Sequence, residues 1–342
     1  MNKKNQKITM QVLAKELNTT VATISRALND SPEIGEEMKL KIKDLAKKYN
    51  FRPNSYASTL RRGKAKTIAV IVPYINRHFF SNIIHNIEKI ANKSGYNVMI
   101  LQTEENFSKE KENISLVIDQ KVSGIIISVC KEAKNSKHLK KAIDEGIKVV
   151  QIDNIISDID TSYIKNEDRE GAYNTTMHLL QQGYRNIALF TGNMLSQIYQ
   201  DRKQGYIDAH NEMGIPYNEE LILENANTRD GGKEAMLKIL NSGAKIDAVF
   251  SSGDYPALGA YLICKEKGIK VPEEIGIAGF ANEHFAELVS PSMTSSDQHS
   301  AQIGQLAAEQ ILKEIDNTET ELLKTSLLPE LIIRESTKKS EI

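Results

Sequence analysis

The sequence predicts an α/β protein in which a small all-α unit precedes a larger unit of doubly wound parallel sheets. Charge divides the chain in the same way, because residues 1–66 contain 15 Lys and Arg against 6 Asp and Glu, whereas the remainder carries a net charge of −10. Apolar residues of the basic segment recur at helical spacing. The acidic remainder alternates short Val- and Ile-rich runs with amphipathic stretches, which is typical of parallel sheets covered by helices on both faces.

Composition limits the classes of protein to which the chain can belong. A length of 342 residues predicts two or three domains, and 40% hydrophobic with 26% charged residues is an ordinary globular composition. No window of about twenty residues is continuously apolar, and the N-terminus lacks the pattern of a secretion signal, so we expect a cytoplasmic protein without a membrane span. Two cysteines, Cys130 and Cys264, are too few for a disulfide framework.

The basic segment begins with a predicted helix. Thr9 is placed to cap it, and Met10, Leu13, Ala14 and Leu17 then recur at the spacing of one helical face.

A second helix is predicted to begin after a capping Thr20. Ile24, Ala27 and Leu28 form its apolar stripe. The opposite face carries short side chains and one arginine, which suits entry into the DNA major groove. It comprises Ala22, Ser25, Arg26 and Asn29, with Val21 on the border.

A third helix completes the basic unit. Its apolar face contains Met38, Ile42, Leu45, Ala46 and Tyr49. Helix, tight turn, helix, loop and helix in about fifty residues is the helix-turn-helix architecture of DNA-binding proteins.

Residues 55–63 could form a short hinge helix. At barely two turns this helix is too short to be stable alone in water. Leu60 stands beside Arg61 and Arg62 with no core of its own, which favours a wedge in the DNA minor groove, although an ordinary polar linker would have the same composition.

The acidic part contains eight candidate strands separated by helical stretches. Two rounds of this alternation on either side of about residue 164 predict two similar lobes. The strand candidates are Thr67–Val72, Tyr96–Leu101, Gly124–Val129, Lys148–Ile152, Asn186–Thr191, Ala248–Ser251, Ile275–Phe280 and Leu328–Ile333.

Enzyme signatures are missing from the sequence. The chain has no phosphate-binding GxxxxGK[ST] loop, no GxGxxG after a strand, no GxSxG elbow and no HExxH, and its seven histidines lack metal-ligand spacing. We therefore expect no catalysis, no metal and no cofactor. Ligands of doubly wound sheets lie beyond the carboxyl ends of the strands, which predicts a cleft between the lobes.

Specific motifs resemble the lactose/galactose-repressor (LacI/GalR) family of bacterial transcription regulators. The motifs that resemble the family are VATISRALN in the second helix, the FRPN corner, ASTL in the hinge segment and the following TIAVIVP strand. Further along, DRKQGY, VFSSGDYPALGAY and GIAGFANEHFAELVSPSMTSSDQ continue the resemblance over nearly the whole chain. It implies a helix-turn-helix domain at 1–54, a hinge at 55–65 and a two-lobed core at 66–342 that is similar to periplasmic binding proteins.

The resemblance assigns roles in DNA binding. It implies that Val21, Ala22 and Arg26 contact the edges of the bases. Phosphate contacts are expected from Thr9, Thr20, Thr23, Ser25 and Asn29, while Asn54 belongs to the corner, and Ala57 and Leu60 enter the minor groove. Two departures weaken this pattern: Val12 stands where an acid would complete a capping box, and Gly35 and Met38 replace the usual Ser and Thr at the third helix.

The resemblance also assigns effector-binding positions, among which Arg202 is the strongest. The full set is Tyr74, Phe80, Asp153, Arg202, Gly253, Asp254, Ala281 and Asn282. Gly253 and Ala281 replace an Asn and an Asp that commonly bind sugar hydroxyls in the family, so discrimination there is lost. The effector could be a different sugar, a phosphorylated sugar held by Arg202 or a protein partner, or the site could be degenerate.

The implied architecture has an N-lobe of about 66–163 plus 293–326 and a C-lobe of about 166–291 plus 328–338. Three crossings between them form a hinge. The polar tail after Arg334 lacks apolar heptads, so a homodimer on double-stranded operator DNA is expected. Two alternatives remain, an α/β enzyme with a DNA-tethering arm and a solute-binding protein.

Overall fold

The computed structural model describes residues 8–28, 30–51, 64–317 and 321–338. Contacts divide the chain into two compact units, Met1–Ala65 and Lys66–Ile342.

The described residues of the N-terminal unit form three helices: α1 (Met10–Glu16), α2 (Val21–Leu28) and α3 (Glu36–Lys48). Their buried side chains form one small core of Leu13, Ala14, Ile24, Ala27, Ile42, Leu45 and Ala46. The chain turns between α1 and α2 within four residues, with Asn18 in the left-handed region at φ 49°, and short amide side chains tolerate that conformation best after glycine. Met38 was predicted to lie inside, but it is 36% exposed in the first turn of α3, whereas Lys39 is buried and pairs with Glu36 at 2.7 Å.

The first lobe of the larger unit is built on a six-stranded sheet. Its strands run in the order β11-β5-β4-β3-β1-β2. They are β1 (Ala65–Val72), β2 (Asn97–Gln102), β3 (Val122–Ile127), β4 (Lys148–Ile152), β5 (Ser162–Asn166) and β11 (Lys324–Leu327). The lobe's helices are α4 (His78–Lys93), α5 (Phe107–Asp119), α6 (Lys137–Asp144) and α12 (Ser300–Ile315).

Helices cover this sheet on both faces, as β1 shows. Ile68, Val70 and Val72 belong to one core cluster, and Ala69 and Ile71 belong to the other. Because both faces are buried, the strand is a continuous apolar run rather than an alternating one.

The second lobe repeats this arrangement around the order β12-β10-β9-β8-β6-β7. Its strands are β6 (Ile187–Phe190), β7 (Ile222–Leu223), β8 (Ala248–Ser251), β9 (Gly276–Phe280), β10 (Thr294–Asp297) and β12 (Glu330–Ile332), the last antiparallel to β10. Its helices are α7 (Asp168–Gln181), α8 (Gln197–Glu212), α9 (Arg229–Ser242), α10 (Asp254–Lys267) and α11 (Phe285–Leu288), with 3₁₀ turns at Glu219–Leu221 and Glu335–Thr337.

The chain crosses between the two sheets three times. The first crossing follows β5 at Glu167, the second lies between Asp297 and Ser300, and the third joins β11 to β12. The second crossing corrects the expected lobe boundary at 293, because β10 pairs with β9 and β12 in the second sheet.

Four strands were not predicted from the sequence, because they are short or polar: β5, β7, β10 and β11. The clearest case is β10, whose Thr-Ser-Ser-Asp sequence carries no apolar signal although its first three residues are fully buried. Hydrogen bonds replace apolar packing there. Ser295 donates to Asp254 at 2.6 Å, and the hydroxyls of Ser296 and Thr175 lie 2.7 Å apart.

No helix among the described residues is long and apolar enough to cross a membrane.

Two glycines allow α9 and α10 to cross at very close range. A Cβ on Gly232 would lie 2.1 Å from the carbonyl oxygen of Pro256, and a Cβ on Gly259 would lie 2.1 Å from that of Arg229. Both clashes are with backbone atoms, so a side chain could enter only if the helices moved apart.

We predict that Gly259→Ala lowers the free energy of unfolding of the core by about 1–3 kcal/mol, the usual cost of overpacking. Urea unfolding followed by circular dichroism measures this loss as a lower transition midpoint. Gly253→Ala is the matched control, because its Cβ would meet no atom closer than 3.6 Å. Equal midpoints for both variants would contradict the close crossing.

Candidate DNA-reading helix and effector cleft

The outer face of α2 presents the side chains predicted to read bases. Val21 is 42% exposed, and Ala22 and Arg26 are exposed as well. The Thr20 hydroxyl accepts a hydrogen bond from the Thr23 backbone N–H at 3.1 Å and lies 2.9 Å from the Thr23 hydroxyl. Thr20 therefore caps the helix as predicted, and this fixes the start of the face.

Arg26 is held on this face by an exposed ion pair. Its Nε lies 3.1 Å from Oε2 of Glu33, and the two side chains are 56% and 67% exposed. Ion pairs this exposed contribute little stability, so the guanidinium can exchange Glu33 for another acceptor at small cost.

Ser25 was expected on the same outer face, and the structure corrects this. The residue is only 5% exposed. It follows Ile24 by about 100° around the helix, and so short a side chain at the margin of the buried stripe is covered by its neighbours.

The remaining predicted DNA contacts divide into two groups. Thr9 is exposed at the start of α1, and within the described residues its side chain makes no capping hydrogen bond. Asn29, Asn54, Ala57 and Leu60 lie outside the described residues.

A cavity of about 130 Å³ lies between the two lobes, beyond the carboxyl ends of strands from both sheets. Six of the eight predicted effector residues line it: Phe80, Asp153, Arg202, Gly253, Asp254 and Ala281. Further residues line the cavity that no sequence pattern indicated, notably Arg77, Lys131, Tyr199, Tyr255 and Glu283.

Arg202 is buried at the base of the cleft on α8. Its Nε donates to Oδ1 of Asp168 at 2.8 Å, its Nη2 lies 2.6 Å from the same oxygen, and its Nη1 donates to the Ser252 carbonyl at 2.6 Å. Its guanidinium carbon lies 3.9 Å from the centre of the Phe280 ring. Burial raises the pKa of Asp168, and the neighbouring Arg202 charge opposes this rise. The pair leaves part of the guanidinium available to a ligand.

Asp153 supplies a second carboxylate at the end of β4. Its backbone is left-handed at φ 58°, and its Oδ2 accepts a hydrogen bond from Ser128 at 2.9 Å. Burial raises the pKa of Asp153 to about 6, and the positive charge of Lys131 limits the rise. The carboxyl group therefore changes charge close to neutral pH.

Lys131 links the first lobe to a ring of the second. Its Nζ lies 2.9 Å from Oε1 of Glu105 and 4.9 Å from the centre of the Tyr199 ring. Burial lowers the pKa of Lys131, but interactions with Tyr199, Glu105 and Asp153 outweigh burial and raise it. This lysine is therefore a fixed positive charge in the cleft wall.

Asp254 organises the cleft wall. Its Oδ1 accepts from the Ser295 hydroxyl and its Oδ2 accepts from the Glu283 backbone N–H, both at 2.6 Å. Burial raises its pKa to about 6, although both hydrogen bonds oppose the rise. The carboxylate approaches Gly279 so closely that a Cβ there would lie 2.0 Å from Oδ1.

Two predicted effector residues do not line the cavity. The Asn282 side chain donates to Asp297 at 2.9 Å and accepts from Arg334 at 2.8 Å, so its amide fastens the loop to β10 and to the chain after β12. Tyr74 lies beside Arg77, 5.7 Å from ring centre to guanidinium carbon, and Arg77 rather than Tyr74 lines the cavity.

The two lobes touch at the mouth of the cleft. The Arg77 guanidinium lies 3.8 Å from the centre of the Tyr255 ring. The His78 backbone N–H donates to Oε2 of Glu283 at 3.0 Å, and the rings of His78 and His284 are 3.7 Å apart. These partners are far apart in sequence, so patterns over a few neighbouring residues could not predict their contact.

Comparison with known proteins places this geometry in a family. The model described as periplasmic binding proteins and sugar binding domain of LacI family matches residues 65–335. The chain belongs to the LacI family. Fold class, family and regulation of transcription through DNA binding are thereby confirmed as predicted, whereas the individual site residues stay predictions.

Similar proteins cover nearly the whole chain. The HTH-type transcriptional repressor PurR of Pasteurella multocida is 28% identical over 330 residues, which are 96% of this chain and 98% of that protein. A structure of the lac repressor dimer bound to operator and an anti-inducer has a TM-score of 0.84 at 20% identity, covering 97% and 99% of the two chains. A LacI family regulator of Enterococcus faecium with bound ribose has a TM-score of 0.72 at 25% identity, covering 80% and 100%.

We predict that Asp153→Asn flattens the dependence of stability on pH. A folded pKa raised from 3.8 to about 6 favours the protonated form, so Asp153 stabilises the fold at pH 4 relative to pH 7, and this contribution is lost as the pH rises through 6. The difference is at most about 3 kcal/mol.

Urea unfolding of both proteins between pH 4 and pH 8 tests this prediction. Asp119→Asn is the matched control, because Asp119 is exposed at the end of α5. If the free energy of unfolding depended on pH in the same way in the wild type and in Asp153→Asn, the pKa of Asp153 would not be raised by folding and the prediction would be wrong.

Proposed function

We propose that the protein represses transcription as a homodimer on a near-palindromic operator, and that a small molecule in the cleft sets its affinity for DNA. The observation that carries this proposal is the buried, charged cleft between two lobes joined by three crossings, on a chain that also contains a helix-turn-helix unit.

DNA recognition is assigned to α2. Its exposed face offers two small apolar side chains, Val21 and Ala22, for thymine methyl groups, and Arg26 for the paired acceptors of guanine. A helix of eight residues reads only a few base pairs, so two copies on a two-fold axis are needed to specify a site. Because its target is chromosomal DNA, the protein acts in the cytoplasm.

The effector proposed for the cleft is a sugar or a sugar derivative. Rings of Phe80, Tyr199, Tyr255 and Phe280 line the cavity and suit the apolar faces of a sugar, while Asp153 and Arg202 offer partners for hydroxyl or phosphate groups. Ribose in the relative from Enterococcus faecium supports this class. Gly253 and Ala281 provide no side-chain polar group, so polar selectivity in the second lobe falls to other lining residues such as Arg202, Asn227 and Glu283.

The three crossings between the lobes allow ligand binding in the cleft to be coupled to DNA binding. A ligand that fits the cleft changes the balance between contacts such as Arg77 with Tyr255 and a more open arrangement. We expect it to change operator affinity by about 1–3 kcal/mol.

Selection of DNA fragments tests the proposed function. The purified protein is mixed with sheared DNA of its source organism, and the retained fragments are sequenced at several salt concentrations. A shared near-palindrome is the expected result, with affinity that falls steeply as salt rises. Retention without sequence preference would instead favour an enzyme with a DNA-tethering arm.

Arg26→Ala should weaken binding to the selected operator by about 1–3 kcal/mol while changing binding to random DNA much less. Fluorescence anisotropy with both duplexes measures the two affinities. Lys41→Ala is the control, because Lys41 is also an exposed, ion-paired cation but lies on α3. Equal losses on both duplexes would assign Arg26 to phosphate contact rather than to base reading.

Removal of the Arg202 charge should abolish the change in operator affinity caused by effector. Arg202→Met alone leaves Asp168 buried without its partner, at a cost of about 3–5 kcal/mol, so we combine it with Asp168→Leu. Compounds from a panel of sugars and sugar phosphates that raise the melting temperature of the wild type are then tested on operator binding. Arg169→Ala, next to Asp168 but exposed and paired with Asp208, is the control. An unchanged response in the double variant would remove Arg202 from the effector site.

A further inference from the structure

A second cavity lies between α5 and α6 on the first lobe. Its volume is about 270 Å³, and it shares no lining residue with the effector cleft. The apolar part of its wall is formed by Phe107, Ile114 and Ile118. An apolar cavity of about 150 Å³ is known to accommodate benzene, so this space is large enough for a ligand with one ring.

The rim of this cavity is basic. Lys111, Lys137 and Lys141 line it, and no Asp or Glu does. Within the described part of the chain none of these lysines pairs with a carboxylate, and Lys111 lies with its Nζ 4.9 Å from the centre of the Phe107 ring. Three ammonium groups without a carboxylate partner around an apolar wall favour an anionic ligand with an apolar body.

A buried ionisable pair forms the inner wall. His138 lines the cavity, is 6% exposed, and packs edge to face on the Phe107 ring at 5.2 Å. Its Nε2 lies 2.7 Å from Oε1 of Glu110, an ion-pair distance without the alignment of a hydrogen bond, and its Nδ1 has no hydrogen-bond partner among the described residues. Buried polar groups of native proteins are rarely left without partners, so this wall is not explained by folding alone.

The same pair connects the cavity to the effector cleft. Oε2 of Glu110 accepts from the Cys130 backbone N–H at 2.5 Å. The next residue, Lys131, lines the effector cleft. A ligand that shifts His138 therefore acts on a carboxylate that holds the backbone beside Lys131.

We propose that this cavity, the α5–α6 pocket, is a second binding site for a small organic anion with an apolar body, of the class of aromatic carboxylates and phosphate esters. The ring lies against Phe107, Ile114 and Ile118, and the anionic group meets the ammonium groups of Lys111, Lys137 and Lys141. The site is separate from the effector cleft, since the two cavities have no lining residue in common and Glu110 connects their walls.

Isothermal titration calorimetry on the full chain tests this proposal with three probes: phenyl phosphate, benzoate and benzyl alcohol. The wild type should bind at least one of the two anions and should bind the neutral alcohol at least tenfold more weakly. Whether phosphate or carboxylate binds tighter identifies the anionic group.

Variants locate the binding. Replacement of the three lining lysines by Gln should weaken the anion about tenfold. Lys140→Gln is the matched control, because Lys140 lies on the same helix α6, is exposed and does not line the cavity. Circular dichroism melting verifies that the triple variant is folded, and Ser115→Trp, which fills the cavity from its rim, should abolish binding without removing a charge.

Four results would overturn the α5–α6 pocket as an anion site. They are no binding of either anion by the wild type, equal affinity for the neutral alcohol, unchanged affinity in both the triple variant and Ser115→Trp, or loss of binding in the Arg202→Met/Asp168→Leu variant. The last result would place the probe in the effector cleft, and it would leave the proposed regulatory function unaffected.

Discussion

The buried ion pair between Arg202 and Asp168 is the constraint on which the cleft depends. Asp168 begins α7 directly after the first crossing, and the same guanidinium binds the end of β8 through Ser252 and the end of β9 through Phe280. One side chain therefore fastens the hinge to two strand ends of the second sheet. A ligand that approaches Arg202 meets a group that is already oriented, which reduces the entropy lost on binding. In the proposed function it would also act directly on the first crossing between the lobes.

The contacts at the cleft mouth have a different character. The cation–π contact of Arg77 with Tyr255 and the tilted contact between the His78 and His284 rings lie at the entrance, and one backbone hydrogen bond to Glu283 accompanies them. A stacked cation contributes about 0.5–2 kcal/mol, depending on its exposure. Such contacts can close the lobes and still yield to a ligand with comparable binding energy. Strong contacts at the base of the cleft and weak ones at its mouth are the arrangement that a hinged binding protein requires.

Sequence reasoning recovered the parts of the fold that depend on local signals. Val- and Ile-rich strands, helical stripes and the cap at Thr20 follow from short-range preferences, and the resemblance pointed to Arg202 and Asp153. Sequence reasoning failed where polar groups decide the packing. β10 is hydrogen-bonded rather than apolar, Asn282 serves the loop instead of the cavity, and Ser25 is covered by its neighbours. Contacts across the cleft, such as Lys131 with Tyr199, join residues that only the folded chain brings together.

The central proposal is that ligand binding in the cleft and operator binding are thermodynamically coupled. The most direct measurement compares operator affinity with and without a compound that calorimetry shows to occupy the cleft. The account predicts a change of about 5- to 150-fold at saturation, and a reciprocal change of the same factor in the affinity for the compound when operator is bound. A compound that fills the cleft and leaves operator affinity unchanged would contradict it.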